Sequence, residues 1–211
     1  MQFAVEYLGF APNYADYRET LELQQRYHQD IVADRRPPTL LLLEHSPVYT
    51  AGRRTEAAER PKTGEEVIDI DRGGKITWHG PGQLVAYPLY RLRNSVAVKE
   101  YVRQLEQAMI DVCAHYGVKT ERREHRAGIW LPATDNAPER KIGAIGISIH
   151  KGVSMHGLAL NCSNSLAGFD AIIPCGIRDA GVTTLTHETG EHITPEDISG
   201  QIRIALEGLT A

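Results

Sequence analysis

The sequence predicts an α/β (α+β) fold in which a mixed β-sheet is flanked by helices. Four consecutive leucines at positions 40–43 indicate a strand that is buried on both faces. Residues 98–116 repeat apolar side chains at helical intervals, which predicts a long amphipathic helix. Residues 141–150 and 154–162 are β-rich runs separated by the turn residues Lys151-Gly152, and we expect them to form a hairpin.

Length and composition are those of an ordinary soluble domain. Hydrophobic residues make up 42% of the chain, charged residues 24%, and the formal net charge is −4. This balance gives no sign of a nucleic-acid partner or of binding to an anionic membrane. No signal peptide or membrane-spanning segment is recognisable, so we expect a cytoplasmic protein whose residues 1–211 form one domain.

The spacing of cysteine and histidine argues against a disulfide framework and against a metal site. Cys113, Cys162 and Cys175 are an odd number of cysteines and lack the CxxC spacing of structural zinc sites. The histidines show neither HxxxH nor HExxH spacing. We therefore expect reduced cysteines and no metal.

The first third of the chain begins with a predicted strand at residues 3–8. Residues 14–34 repeat apolar side chains at helical intervals, and Asn13 is placed to cap that helix. The leucine strand, residues 39–44, follows. The polar stretch from His45 to about Glu66 is predicted to be a long surface loop, a kind of segment that is often functional.

The rest of the chain alternates short strands with helices. Residues 67–70 and 128–131 are strand candidates, and Gly117 is placed to end the helix at residues 98–116. Cys113 lies on the apolar face of that helix and is predicted to be part of the core. Thr194 begins a last helix, with a proline in its first turn and an acidic residue three positions on.

Residues 72–90 combine glycine-rich turns with aromatic and imidazole side chains. Arg72-Gly73-Gly74 places a cation beside a flexible backbone, and Gly80-Pro81-Gly82 marks a second turn. Residues 84–87 indicate a buried strand. Two interpretations fit this stretch equally well: the wall of a pocket, or a β-hairpin with solvated turns.

Two side chains are candidates for chemistry. Cys175 lies between Pro174 and Gly176 in an irregular segment, where a thiol can face a cleft, although an inert buried cysteine is the alternative. Lys141 opens an otherwise apolar strand, and it either extends to water or turns into a pocket. A cation near a thiol lowers the pKa of that thiol and favours the reactive thiolate. Cys162 ends a strand and is predicted to be inert.

The chain resembles a known family, the lipoyl (octanoyl) transferases, which are the lipoate biosynthesis B proteins of bacteria. Its motifs occur in order along most of the chain: Arg72-Gly73-Gly74, Thr77-Trp78-His79, Gly82-Gln83 with Tyr87, Lys141 to Gly146, His156 to Ala159, and Pro174-Cys175-Gly176. The loop at residues 134–139 looks longer than the family pattern.

The resemblance implies the catalytic fold of lipoate and biotin protein ligases and an acyltransferase activity. Octanoyl would pass from acyl carrier protein to a lysine of lipoyl domains, in 2-oxoacid dehydrogenases and in the glycine cleavage H protein. The family's thioester nucleophile falls on Cys175 and the lysine that lowers its pKa falls on Lys141. The family's substrate-binding segments fall on Arg72, Gly73, Gly74, Lys75, Ile76, Thr77, Trp78, His79, Ala144, Ile145, Gly146, Gly157, Leu158 and Ala159. The resemblance implies no ATP, metal or other cofactor, and we expect a monomer.

Three other functions have distinct signatures. An ATP-dependent lipoate or biotin ligase on the same fold would use a lysine without needing Cys175. A cysteine thioesterase would release free acid and ignore lipoyl domains. A non-catalytic module that binds acyl groups or their carrier would form no covalent adduct.

Overall fold

A computed structural model of the chain describes residues 2–62, 64–93, 97–135, 137–172 and 180–209. Within these residues the chain forms eleven strands: β1 (Ala4–Gly9), β2 (Thr39–Leu43), β3 (Val48–Ala51), β4 (Val67–Asp69), β5 (Thr77–His79), β6 (Gln83–Leu89), β7 (Glu121–Arg123), β8 (Arg126–Leu131), β9 (Arg140–His150), β10 (Val153–Asn161) and β11 (Gly181–Val182). The same residues form four α-helices: α1 (Tyr17–Val32), α2 (Ala97–His115), α3 (Leu185–Thr189) and α4 (Pro195–Glu207).

The strands form two sheets. The large sheet has the order β1-β2-β6-β10-β9-β8-β7, and β11 pairs with β9. The small sheet has the order β4-β3-β5. Strands β1 and β2, β11 and β9, and β3 and β4 pair in parallel, whereas the other pairs are antiparallel. The predicted fold class, a mixed sheet flanked by helices, is therefore confirmed.

The large sheet is covered on both faces. Successive side chains of a strand point to opposite faces, so Leu40 and Leu42 join the core formed with α2 and α4. Leu41 and Leu43 join a second core on the other face, which includes Ile31 of α1. All five residues of β2 are buried, which confirms the prediction of a strand buried on both faces.

Helix α1 begins later than predicted. Its N-cap is Asp16, whose side chain accepts a hydrogen bond of 3.0 Å from the Glu19 N–H, so Asn13 does not cap it. Ala15, directly before the cap, forms a parallel bridge with His45 and so lies outside the helix. The apolar periodicity predicted the helix, but this tertiary pairing sets its start.

The predicted surface loop from His45 to Glu66 was wrong in part. It contains β3, which pairs with β4 on one side and β5 on the other and so organises the small sheet. A strand of four residues with two partly exposed positions carries too short a pattern to recognise. The hairpin interpretation of residues 72–90 was also wrong, because β5 and β6 lie in different sheets.

The long elements agree with the sequence. Gly117 has a φ of 74° after α2, and Thr194 caps α4 with a reciprocal capping box. Cys113 is buried in the core, and burial raises the pKa of its thiol to about 12. Strands β9 and β10 form the predicted hairpin. No helix in the described part of the chain is long and apolar enough to cross a membrane.

Candidate active site

A cavity of about 410 Å³ lies along the edge of β9. Strand β8 pairs with β9 only from Arg140 to Gly143, and beyond that point β9 has β10 on one side alone. The cavity contacts twelve of the fourteen predicted substrate-binding residues: Arg72, Gly73, Gly74, Lys75, Thr77, His79, Ala144, Ile145, Gly146, Gly157, Leu158 and Ala159. The large sheet, α1, α2 and the loop of residues 72–75, here called the glycine loop, all contribute to its wall.

The open edge of β9 directs the main-chain groups of one residue toward this cavity. Strand β8 leaves the ladder at Gly128, which has a φ of 109°. Further along, the Gly73 N–H donates a hydrogen bond of 2.8 Å to the Ile147 carbonyl. Main-chain groups of alternate residues point to the same side of an antiparallel strand. Ile145, midway between Gly143 and Ile147, therefore turns its N–H and C=O toward the cavity.

A bulge in β9 determines where Lys141 points. Lys141 pairs with Trp130 and Gly143 with Ile129, so Ile142 is an extra residue between them. Ile142 packs in the α2 core, and a Cβ on Gly143 would meet Met109 of α2 at 2.7 Å. The bulge thus leaves Lys141 facing away from α2 and into the cavity.

Lys141 is nearly buried, and its ammonium has defined neighbours. Its Nζ donates a hydrogen bond of 2.9 Å to the Ala127 carbonyl and lies 5.0 Å from the centre of the Trp130 ring. The main chain at Lys141 pairs with Val182 of β11. Lys141, predicted from sequence as a catalytic candidate, therefore lies in the cavity wall.

Cys175, the predicted nucleophile, lies outside the described residues, as do Pro174 and Gly176. On its N-terminal side, Ile172 packs in a core cluster with Trp78 of the small sheet. On its C-terminal side, β11 runs beside Lys141. Cys162 is fully buried, and burial raises the pKa of its thiol well above the ordinary value, which fits an inert cysteine.

Arg72 holds the glycine loop in place. Its guanidinium donates to the Thr50 carbonyl (2.9 Å) and hydroxyl (3.0 Å), and to the carbonyls of Gly73 (3.0 Å) and Lys75 (2.8 Å). A Cβ on Gly146 would lie 2.5 Å from the Arg72 Cδ, so that glycine makes room for the arginine. The Arg-Gly-Gly motif thus joins the small sheet to the large one.

Two predicted substrate-binding residues, Ile76 and Trp78, do not line the cavity. Strand alternation turns Thr77 and His79 toward the cavity and Trp78 to the opposite side. There Trp78 packs edge-on against Phe169, with ring centres 5.5 Å apart, and Ile76 is fully buried in the same cluster. Both residues belong to the core in this structure, and their assignment to substrate binding stays a prediction from the sequence.

His79 and His45 are buried imidazoles at one end of the site. The ring of Tyr17 stacks on His79 at 6.4 Å with an interplanar angle of 9°. Burial and, to a smaller extent, the neighbouring His45 lower the pKa of His79 to about 3. Burial also lowers the pKa of His45 to about 4, and its Nε2 lies 2.9 Å from the Tyr87 hydroxyl. Both imidazoles are therefore neutral at pH 7.

Asp71 joins two histidines beside the cavity. Its carboxylate lies 3.0 Å from His156 Nε2 and 2.5 Å from His150 Nε2. The hydrogen bond from His156 holds the pKa of Asp71 well below its ordinary value, whereas burial lowers the pKa of His156. His156 has a φ of 58°, and its N–H donates to the Gln24 Oε1 at 2.9 Å. Among the described residues, no group of three or more histidine, cysteine or acidic side chains is arranged to hold a metal ion.

The cavity also contacts Arg54 and Arg126, which belong to arginine-rich runs of the sequence, and Tyr17 and Val102, which the sequence did not suggest. Tyr17 and Val102 occupy apolar helix positions, where a core residue and a pocket residue look alike. Only the position of the helix against the sheet distinguishes them.

Comparison with known proteins decides the family. Residues 16–207 match the family described as "Lipoyl protein ligase A/B catalytic domain". The chain belongs to this family. It is 54% identical over 192 residues to the octanoyltransferase of Pseudarthrobacter chlorophenolicus, covering 91% of this chain and 86% of the relative. It is 53% identical over 207 residues to the octanoyltransferase of Leifsonia xyli, covering 98% of this chain and 92% of the relative.

Solved structures share the fold at low sequence identity. The bi-partite lipoate protein ligase of Thermoplasma acidophilum has a TM-score of 0.70 and 14% identity, over 98% of this chain and 83% of its own. A lipoate-protein ligase A bound with ATP has a TM-score of 0.67 and 16% identity, with the same coverages. These likenesses concern the fold alone. The identity to octanoyltransferases makes the enzyme an acyltransferase that moves octanoyl groups in protein lipoylation.

Proposed function

We propose that the enzyme transfers octanoyl from acyl carrier protein to a specific lysine of lipoyl domains through a thioester on Cys175. The acceptors would be the lipoyl domains of 2-oxoacid dehydrogenases and the glycine cleavage H protein. The observation that carries the proposal is the placement of Lys141 in the cavity wall by the β9 bulge, in a chain more than half identical to octanoyltransferases.

The first half of the reaction loads the enzyme. The Cys175 thiolate, favoured by the Lys141 ammonium, attacks the thioester carbonyl of the carrier. A new C–S bond forms, the bond to the carrier sulfur breaks, and the leaving thiolate takes a proton from Lys141. One thioester replaces another, so this half is close to balanced and requires no ATP.

The second half forms the amide. The acceptor lysine attacks the acyl-enzyme as a neutral amine, the bond to Cys175 breaks, and Lys141 takes the proton that the amine loses. This step restores the thiolate and the ammonium together. An amide is more stable than a thioester, so the overall transfer runs downhill, and two half-reactions give ping-pong kinetics.

The cavity wall suits both the acyl chain and the reacting carbonyl. At about 0.8 kcal/mol per buried methylene, an eight-carbon chain against Ile145, Leu158 and Ala159 would contribute several kcal/mol to binding. The Ile145 N–H, directed to the open edge of β9, is our candidate donor to the oxyanion of the tetrahedral intermediate. Such a donor contributes on the order of 3 kcal/mol in other enzymes. We assign substrate contacts to the twelve predicted residues that line the cavity.

We further propose that the enzyme acts as a cytoplasmic monomer without ATP, metal or other cofactor. Transfer measured with EDTA present and ATP absent should equal transfer measured with both supplied. A requirement for either would contradict this part of the proposal.

Intact-protein mass spectrometry after mixing with octanoyl-acyl carrier protein tests the route through Cys175. The unaltered enzyme should gain one octanoyl group that hydroxylamine removes and that an added lipoyl domain accepts. Cys175→Ala should gain none, whereas Cys162→Ala should load normally, because Cys162 is buried in the core. Full transfer by Cys175→Ala would overturn the acyl-enzyme mechanism.

An ATP-dependent ligase is the second candidate, because the solved ligase bound with ATP shares this fold. Fold alone does not fix chemistry. A ligase would use free octanoate with ATP, and Cys175→Ser would retain that activity. Modification of a lipoyl domain from octanoate and ATP at the rate seen with the carrier thioester would favour the ligase.

A further inference from the structure

Two buried amide side chains connect His79 to a main-chain carbonyl beside Lys141. His79 Nδ1 lies 2.7 Å from Gln83 Oε1, and Gln83 Nε2 lies 2.9 Å from Asn161 Oδ1. Asn161 Nδ2 then donates to the Thr183 carbonyl at 2.9 Å. His79, Gln83 and Asn161 are all buried, and the Thr183 N–H donates to the Lys141 carbonyl at 2.9 Å. This chain of contacts is called the amide relay below.

The carbonyl at its end fixes the direction of every bond in the amide relay. A carbonyl can only accept, so the amide nitrogen of Asn161 must face Thr183 and its oxygen must face Gln83. Gln83 then presents its nitrogen to Asn161 and its oxygen to His79. The Trp78 carbonyl, 3.4 Å from Gln83 Nε2, favours the same orientation. His79 must therefore donate from Nδ1, and its Nε2 carries the lone pair.

This tautomer gives the cavity a neutral acceptor. Nδ1 is engaged by Gln83, and the parallel ring of Tyr17 limits rotation of the imidazole. Nε2 is the remaining ring nitrogen of a residue that lines the cavity. An amine that attacks a thioester directs its lone pair at the carbonyl, so only its N–H groups remain for hydrogen bonds, and these need acceptors. A donor at Nε2 would repel that amine.

We propose that Gln83 and Asn161 are positioning residues that hold His79 as the Nδ1–H tautomer, so that Nε2 accepts a hydrogen bond from the attacking amine of the acceptor lysine. The inference rests on the proposed function for the identity of that amine. It assigns His79 to the second half of the transfer and gives it no role in loading Cys175. Thr183 accepts a hydrogen bond from Asn161 and donates one to the Lys141 carbonyl. The amide relay therefore also fixes the position of His79 relative to Lys141.

The tautomer is tested first, by ¹⁵N NMR of histidine-labelled enzyme with His79 assigned from His79→Gln. The unaltered enzyme should show a protonated Nδ1 and an unprotonated Nε2. Gln83→Met removes the acceptor from Nδ1 at nearly constant volume and should give a mixture of tautomers. Gln24→Met is the matched control, because Gln24 is a buried glutamine outside the amide relay and should leave the His79 signals unchanged. An Nε2–H tautomer in the unaltered enzyme would overturn the positioning role.

Single-turnover rates then separate the two halves of the reaction. Loading from octanoyl-acyl carrier protein should change by less than about twofold in Gln83→Met, and transfer to the lipoyl domain should slow about tenfold, the effect of one hydrogen bond of about 1.4 kcal/mol. Asn161→Leu should show the same split. Gln83→Glu keeps an acceptor at Nδ1, so it should keep the Nδ1–H tautomer and recover part of the transfer rate.

The outcomes distinguish this inference from the proposed function. Equal slowing of both halves would overturn the assigned step, because a general loss of structure does not select one half-reaction. If the unaltered enzyme forms no acyl-enzyme, the proposed function fails and the step assigned to His79 fails with it. The NMR result still decides the tautomer in that case, since it requires no substrate.

Discussion

Arg72 is a buried cation whose donors are matched to fixed acceptors in two directions. One terminal nitrogen of its guanidinium serves Thr50 in β3, and the other serves the carbonyls of Gly73 and Lys75 in the glycine loop. The planar fork of arginine can span these two groups, whereas the single ammonium of lysine cannot. The positive charge alone is therefore not sufficient, and the shape of the arginine side chain is needed to join the loop to the small sheet.

Arg72→Lys should therefore lower both stability and substrate affinity. At least one buried carbonyl would lose its partner, which would lower the free energy of unfolding by about 2 kcal/mol. We expect KM for octanoyl-acyl carrier protein to rise about tenfold, the equivalent of about 1.4 kcal/mol, because the glycine loop lines the cavity. Urea unfolding and initial rates measure the two effects.

Arg35→Lys provides the control for Arg72→Lys. Arg35 pairs with Asp30 on the surface, where its side chain is 65% exposed, so this change should alter stability by less than about 0.5 kcal/mol. If Arg72→Lys matched this control in both measurements, the joining role of Arg72 would be wrong.

The position of a residue in the site was predictable where its neighbours in the sequence are unusual. Lys141 stands out because it opens an apolar strand, and its placement in the cavity wall agrees with that signal. Trp78 lies outside the cavity wall, a position that could not be predicted because the sequence does not show which members of residues 76–79 share a face. Tyr17 was missed because its helical position looks like any core position. The bulge at Ile142, which directs Lys141, arises from pairing with β8 and has no local signature.

At the scale of elements, close approach of strands constrains β10. Gly157 faces the main chain of β6, and a Cβ there would lie 2.1 Å from the Ala86 carbonyl oxygen. That atom belongs to the backbone of a central strand, so it cannot move aside as a flexible side chain could. The glycine in the His-Gly-Leu-Ala motif thus permits the β10–β6 pairing.

Gly157→Ala should lower the free energy of unfolding by about 3 kcal/mol or more, because β10 and β6 would have to separate. Gly200→Ala, in α4, has no atom within 4 Å of the new methyl group and should raise it by about 0.5–1 kcal/mol. Thermal and urea unfolding of the two variants should give effects of opposite sign. A Gly157→Ala protein as stable as the parent would contradict the steric argument.

Elements with many residues in a regular pattern were predictable, and short ones were not. The periodicity of α2 and the capping box of α4 identify both helices. Strands β3, β7 and β11 have four, three and two residues, too few to show an alternation. Their extended form comes from a neighbouring strand, which only the tertiary structure supplies.

At the scale of the whole molecule, the cavity exists because two sheets meet. Strands β5 and β6 are adjacent in sequence but belong to different sheets, so the chain between them crosses from one sheet to the other. The sequence indicated glycine-rich turns here without showing which strands they join. The site thus combines motifs that the sequence reveals with a packing arrangement that it does not.

The same packing buries a histidine cluster, which should make global stability depend on pH. Burial lowers the pKa of His45 to about 4 and of His79 to about 3, whereas both titrate near 6.5 in the unfolded chain. Below pH 6.5 the unfolded chain therefore binds protons that the folded protein does not. The contribution of these two histidines to the free energy of unfolding is therefore complete above pH 6.5, and it decreases as the pH falls toward 4.

From these shifts we expect each of the two histidines to remove about 2 kcal/mol from the free energy of unfolding between pH 8 and pH 5. His156, whose pKa burial also lowers, acts in the same direction. Asp71 does not contribute in this window, because its lowered pKa places its loss of stability below pH 4. Urea unfolding at pH 8, 6.5 and 5 measures the slope.

The double variant His45→Gln/His79→Gln should show about 4 kcal/mol less change between pH 8 and pH 5, even if it is less stable at every pH. His125→Gln should keep the slope of the parent, because the side chain of His125 is 90% exposed. Equal slopes in the parent and the double variant would mean that the two imidazoles gain protons in the folded state as readily as in the unfolded chain. Since burial is what prevents protonation, such a result would place these two histidines in contact with solvent.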